Sequence, residues 1–226
     1  NLKRVAGGVD TYWLKVPIQT AFTHNHSLNI AGGSKGLLYQ IGATYNFTDG
    51  VMKGSSRESF GGNAHITYRD ESGKLNVSNN ITIGVTNADN SVWGKFGDFA
   101  NANPCYKMVN ENGVPPMILD GVAGNTGDAG TNYTGTAMNP YYNAMLQNYS
   151  RNNVFNVVNN TAINWYINDR LRWQASMSLY TTKTEGATFK DPQHTSYRNE
   201  SDHTKKGEYS GTNGSTWGYR LNTTLS

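Results

Sequence analysis

The chain has 226 residues, a net charge of +3, 15% charged residues and a mean hydropathy of −0.62. The small net charge and the lack of a basic block argue against a nucleic-acid partner. A single cysteine, Cys105, excludes an internal disulfide and a cysteine metal cluster. No apolar run approaches the roughly 20 residues of a membrane-spanning helix, which excludes a helical membrane protein. The first residues show no signal-peptide core, so we expect the chain to be a section of a longer protein.

After a lead-in segment at 1–20, residues 21–87 are predicted to form four strands. The clearest lies in GLLYQIGATYNFTDG at 36–50, where apolar and polar residues alternate strictly from Tyr39 to Phe47. A period of two indicates a strand whose two faces meet different surroundings. A similar alternation in KLNVSNNITIGV is interrupted on its apolar side by Asn79.

A long loop is predicted at 88–150, followed by three more strands in 151–226 with a second long loop near 184–208. The connections alternate between short and long, which is typical of an antiparallel meander with all short turns at one end. We therefore expect 31–36, 70–74 and 168–170 at one end. The loops around Lys53, Asp128 and His194 should lie at the other.

The alternation leaves two hypotheses open, because a membrane barrel and a soluble β-sandwich share it. In a barrel, strands of about 9 to 11 residues would cross the bilayer at a tilt. One face would then meet lipid and the other the lumen. The predicted lipid-facing residues are Ile41, Tyr45, Ile81, Ile83, Trp173 and Met177, and the predicted lumen-facing residues are Gln40, Thr44, Asn80, Thr82, Gln174 and Ser176.

Several segments resemble the SusC-like branch of TonB-dependent outer-membrane receptors of Bacteroidetes. They include YWLKVPIQTAFTHNHSLNIAGG, YQIGATYNFTDGVMKGSSRESFGGNAHITYR and KLNVSNNITIGVTNADNS. FGDFANANPCYKMVNENG is similar to the Asn-Pro-Tyr-Tyr-x-Met segment of the family, with Cys105 in place of the first tyrosine. The resemblance covers essentially the whole chain.

The resemblance implies an all-β fold, an antiparallel meander that forms part of a large, 22-stranded transmembrane β-barrel in the outer membrane of a Gram-negative bacterium. It also implies coupling to TonB through a plug domain, which this chain does not contain, and a SusD-like surface lipoprotein as a lid. The imported substrate would be an oligosaccharide or a peptide, with no enzymatic activity and no cofactor. Seven strands alone would leave two open edges in lipid, so the barrel needs further strands. The alternative hypothesis is a secreted or surface β-sandwich or adhesin that binds carbohydrate.

The long loop carries the candidate ligand-binding or lid-contact residues. Aromatic rings among Asn, Asp and Gly suit stacking on sugars while amides bond hydroxyl groups. The alternative is that the rings pack the loop onto its neighbours. The candidates are Trp93, Phe96, Tyr106, Tyr133, Tyr141 and Tyr142.

Two other patterns are interpreted as structural. His24 and His26 have a spacing that can hold a metal, but they lack a third ligand, so no metal site is predicted. DGVAGNTGDAGTN has the composition of a calcium-binding loop without the EF-hand spacing, and is interpreted as a flexible extracellular loop. No catalytic arrangement has supporting context.

Overall fold

The computed structural model describes residues 2–121 and 136–226, which are organised around a seven-stranded antiparallel sheet. Along the sheet the strands are β1 (Thr23–Gly33), β2 (Leu37–Asp49), β3 (Ser56–Arg69), β4 (Leu75–Asp89), β7 (Tyr149–Asn168), β8 (Leu171–Lys190) and β9 (Glu208–Leu225). A separate pair consists of β5 (Ile118–Gly121) and β6 (Thr136–Met138). Short α-helices span Leu2–Ala6 (α1), Phe96–Ala100 (α2) and Pro140–Ala144 (α3), and 3-10 turns span Trp13–Lys15, Thr195–Tyr197 and His203–Lys205.

Short and long connections lie at opposite ends of the sheet, as predicted. Residues 34–36, 70–74 and 169–170 form the turn end, and 50–55, 90–121, 136–148 and 191–207 lie at the loop end. Asp128 lies outside the described residues. The turn at 70–74 is held by the Asp70 carboxylate, which accepts hydrogen bonds from the Ser72 hydroxyl and, at 2.7 Å, from the Leu75 amide. Both bonds favour the charged form and lower the pKa of Asp70.

The strand register confirms the predicted division into two faces. Ile41 pairs with Ala64 and Ala64 with Ile81, and the row continues across β7 to β9. Because paired residues share a face, all six residues predicted for one side lie together and all six predicted for the other lie opposite. We call these the apolar face and the polar face.

Three polar side chains share a hydrogen-bond network on the apolar face. The Asn79 amide donates to Asn159 Oδ1 at 3.2 Å and to Thr161 Oγ1 at 2.8 Å. Asn159 donates back to Asn79 Oδ1 at 3.2 Å. The interruption seen at Asn79 in the sequence is therefore balanced by partners on the neighbouring strand.

The strands of the main sheet are longer than the predicted 9 to 11 residues. They range from 11 residues in β1 to 20 in β7 and β8. The second long loop accordingly occupies 191–207, and 184–190 belong to β8. The prediction of length was wrong because it followed the apolar alternation, whereas the backbone ladder continues beyond it to Lys190, which pairs with Glu208.

The register also fixes the tilt of the strands. The row of paired residues that runs through Ile41 and Asn159 crosses the whole sheet. Counted along the strands from this row, the turn after β1 lies three to four residues away, and the turn after β7 lies eight to nine residues away. The distance from the row to the turn therefore grows by five residues, about 17 Å along the strands, while four strand-to-strand spacings, about 19 Å, are crossed. For these turns to lie at one level, the strands must tilt by about 40°. At that tilt, the ten residue steps from Phe155 to Trp165, both on the apolar face, span a height of about 25 Å.

The sheet is a single layer, and the tightest packing lies away from it. Among the described residues, the buried apolar side chains are those of Trp13, Pro17, Phe99 and Ala144, and none of them belongs to a strand of the main sheet. Large side chains on the apolar face remain exposed, including Ile41 at 50% and Leu221 at 65%. The compact part of the molecule is therefore at the loop end.

Candidate functional site: the loop layer

Segments from the whole chain meet at the loop end of the sheet. We call this the loop layer, comprising residues 2–22, 50–55, 90–121, 136–148 and 191–207. The predicted lead-in is part of it: Trp13 is 3% exposed and donates from Nε1 to the Asn103 carbonyl at 2.9 Å. Thr11 donates from its amide to Pro104 O at 2.9 Å and from its hydroxyl to Tyr106 O at 2.7 Å.

Lys53 joins three segments of the loop layer. Its ammonium donates to Val16 O at 2.8 Å and lies 5.0 Å from the centre of the Trp93 ring, a cation–π contact. Its carbonyl accepts from Ser91 Oγ at 2.7 Å. The connection at 50–55 is thereby attached both to the N-terminal segment and to the start of the long loop.

An aromatic cluster forms the interior of the long loop. Phe99 is 1% exposed, and its ring centre lies 6.2 Å from that of Trp93. The ring centre of Tyr141 lies 5.5 Å from that of Trp93. Of the six candidate residues, Trp93 thus packs on the buried Phe99 ring and Tyr141 packs on Trp93, which is consistent with the packing interpretation for these two.

Asn139 is the most enclosed polar residue of the described chain, at 0% exposure. Its Nδ2 donates to Met108 O and to Pro116 O, each at 2.9 Å, and its Oδ1 accepts from Tyr141 N at 3.1 Å. The last bond caps α3, whose first residue is Pro140. One side chain therefore fixes three backbone segments.

The other candidates are dispersed through the loop layer. Phe96 is 44% exposed at the start of α2. The Arg4 guanidinium lies 4.8 Å from the centre of the Tyr106 ring. Tyr142 lines a cleft, and Tyr133 lies outside the described residues. The structure brings Trp93 and Tyr141 together and leaves Phe96 and Tyr142 with accessible surface.

A cleft of about 590 Å³ opens between the loop at 191–207 and the residues next to α3. Its wall combines aromatic rings with basic side chains, and includes Tyr142, His194, Tyr197, Arg198, His203 and Lys206. The cleft is held in shape by Asn143, whose amide donates to Thr195 Oγ1 at 2.7 Å and accepts from Thr195 N at 3.0 Å.

His194 is set within the cleft wall by its neighbours. Its Nδ1 accepts from Ser196 N at 3.1 Å, and its ring meets Tyr197 edge-on at 6.5 Å. Partial burial is the main cause that lowers the pKa of His194, and the positive charge of Lys190 adds to it. The imidazole is therefore neutral at physiological pH.

Metal chemistry finds no support among the described residues, where no three His, Cys, Asp or Glu side chains are placed to hold an ion. The rings of His24 and His26 lie 5.2 Å apart on the apolar face, and His24 also stacks on Phe47 at 5.3 Å. In the described part of the chain, no helix combines the length and apolar character needed to cross a membrane.

Sequence reasoning missed the cleft and the central role of Asn139. The Asn-Pro pair at 139–140 was a readable helix-start signal, since Asn caps and Pro occupies the first helical position. Nothing in the sequence pattern marked Arg198 or Lys206, because their proximity to Tyr142 depends on loop docking.

No family model matches the chain, and no curated protein matches it. Solved structures share its fold. The RagAB peptide transporter superposes with a TM-score of 0.69 at 18% identity over 96% of this chain and 23% of its own. The RagAB peptide importer in the "open-open" state gives 0.69 at 17% identity, over 96% of this chain and 23% of its own. The chain thus spans less than a quarter of the length of these proteins.

These similarities confirm the predicted fold class. The open antiparallel meander matches a section of the β-barrel of proteins of this kind. The tilt and the two-faced pattern are those of a barrel wall, with the loop layer at one rim.

Proposed function

We propose that this chain is part of the barrel wall and rim of a SusC-like TonB-dependent transporter in the outer membrane, which imports a peptide or an oligosaccharide without enzymatic chemistry. In the intact protein, a plug domain would couple import to TonB. A SusD-like surface lipoprotein would close over the loop layer. The same fold in a protein described as a peptide transporter supports this proposal.

The observation that carries the proposal is the apolar face. Its height of about 25 Å equals that of the apolar band of outer-membrane barrels. Aromatic residues lie at both limits of the band, with Phe155 and Tyr45 toward the loop end and Trp165 and Trp173 toward the turn end. Such rows are the interfacial girdles of a barrel wall, and the face between them would contact outer-membrane lipid.

The loop layer would be extracellular and would contact substrate or lid. Its fold depends on long-range packing and on the buried Asn139, so it offers a shaped surface to a partner. Phe96 and Tyr142 are the candidates with accessible rings, and Trp93 and Tyr141 would support them from behind.

The test uses the full-length receptor in its own cells. Phe96→Ala and Tyr142→Ala should reduce substrate uptake or lid association while the barrel still reaches the outer membrane. Tyr219→Ala, which removes an exposed ring from the apolar face, is the control and should leave uptake unchanged. Recovery of the protein in the soluble or secreted fraction would instead favour the carbohydrate-binding adhesin.

A further inference from the structure

The cleft between the two long loops is lined by two positive charges that lie outside the ion pairs of the described loops. Lys205 lies 3.7 Å from Asp202, and Lys190 lies 3.2 Å from Glu208. Arg198 and Lys206, which line the cleft, form no ion pair with the described residues. None of the residues that line it is Asp or Glu.

The guanidinium of Arg198 donates a hydrogen bond to a weak acceptor. Its Nη1 donates to the thioether sulfur of Met138 at 2.8 Å, and sulfur is a poor acceptor. The guanidinium is exposed, and most of its five N–H donors are available to a planar anion. Lys206 on the same wall is half-buried, which reduces the screening of its charge by water.

The remaining wall suits an organic anion better than a hydrated inorganic ion. Tyr142 and Tyr197 add aromatic surface that can pack on the carbon skeleton of a ligand. His194 is held neutral and half-buried, so it adds a polar edge to the wall without adding charge. His203 lines the same opening.

We propose that this cleft binds a carboxylate group of the imported substrate, with Arg198 as the bidentate donor and Lys206 as the second positive charge. The inference rests on the proposed transport function and narrows its substrate class to acidic ligands. An acidic peptide and an oligosaccharide of uronic acids present the same carboxylate. The cleft is a concave opening of about 590 Å³, a shape that is better suited to holding a ligand group than to docking the surface of a protein lid.

The experiment measures binding by calorimetry to the purified full-length receptor with its lid. The probes are two matched pairs: a Gly/Ser peptide with an Asp-Asp pair and its Asn-Asn counterpart, and an oligogalacturonate and a neutral oligogalactose. We expect one acidic probe to bind about tenfold more tightly than its neutral counterpart, as for one charge-assisted hydrogen bond. Which pair shows the preference identifies the source of the carboxylate.

Three variants locate the effect. Arg198→Gln and Lys206→Gln should each remove most of the preference for the acidic probe. Lys205→Gln, on the same loop but paired with Asp202, should retain it. Raising the ionic strength from about 0.05 to 0.5 M should reduce the preference in the unmodified receptor.

Equal binding of acidic and neutral probes would overturn the inference while leaving the transport function standing. So would a preference that survives in Arg198→Gln, or a loss of lid association in that variant with unchanged probe binding. Failure of all four probes to bind would overturn the inference and also count against the proposed transport function.

Discussion

Replacing Asn139 by Ala tests whether one buried side chain organises the loop layer. The substitution removes two hydrogen bonds to the carbonyls of Met108 and Pro116 and the capping bond to Tyr141 N. At about 1 kcal/mol for each buried bond and about 1 kcal/mol for the cap, the loop layer should lose about 3 kcal/mol of stability. No exposed side chain of the layer is expected to match this effect.

Asn139→Asp separates the donor role from the capping role. The carboxylate keeps an acceptor for Tyr141 N but places negative charge against the carbonyl oxygens of Met108 and Pro116, at full burial. The buried charge is costly unless the group binds a proton, which raises its pKa. We therefore expect Asn139→Asp to destabilise the layer at pH 7.5 and to recover part of the loss at pH 5.

Hydrogen exchange of the full-length receptor measures both effects. In Asn139→Ala the backbone amides of residues 139 and 141 should exchange about a hundredfold faster, the equivalent of roughly 3 kcal/mol, while strand amides stay protected. Asn112→Ala is the control, because Asn112 is exposed in the same loop. Unchanged exchange in both Asn139 variants would refute the central role of this residue.

Three further outcomes are expected. Ile81→Arg should lower barrel stability by about 2 to 4 kcal/mol near the bilayer midplane, whereas Asn80→Arg on the polar face should be tolerated; equal losses of folded barrel in urea titrations would argue against lipid on the apolar face. In a double-mutant cycle, Asn79→Leu and Asn159→Leu should show a coupling of about 1 kcal/mol, measured by the same titration, and additive effects would contradict the network. Because the pKa of His194 is lowered below its usual 6.5, folding of the loop at 191–207 loses stability as pH falls through and below 6.5. The protection factors of its amides, corrected for the pH dependence of intrinsic exchange, should therefore fall between pH 7.5 and 5.5, and higher protection factors at pH 5.5 would contradict this sign.

The strands and their faces were predictable from sequence because a two-residue period is a local property. Ile41 and Ile81 belong to different strands, yet each was assigned to the apolar face by its own neighbours in the chain. The register then brought them into one row. Alternation failed as a guide to strand length, because Lys183 and Glu185 place charges at positions of the apolar face while the backbone pairing continues.

The packing of the loop layer could not be predicted from the sequence, for a different reason. The burial of Trp13 depends on Asn103, and that of Asn139 depends on Met108 and Pro116, without any period that links them. The aromatic composition correctly indicated an organised loop. It did not distinguish a ring packed inside, such as Trp93, from one that lines an opening, such as Tyr142.

The attachment of the N-terminal segment to the long loop also predicts the order in which parts of the protein fold. Thr11 and Trp13 bond to residues 95 and 90 positions later, whereas the β1–β2, β3–β4 and β7–β8 hairpins close over the short turns at 34–36, 70–74 and 169–170. Contacts that distant in sequence form slowly, since a large loop must close before they contribute. The hairpins should therefore assemble first, and the loop layer should acquire its final shape only after the sheet beneath it is complete.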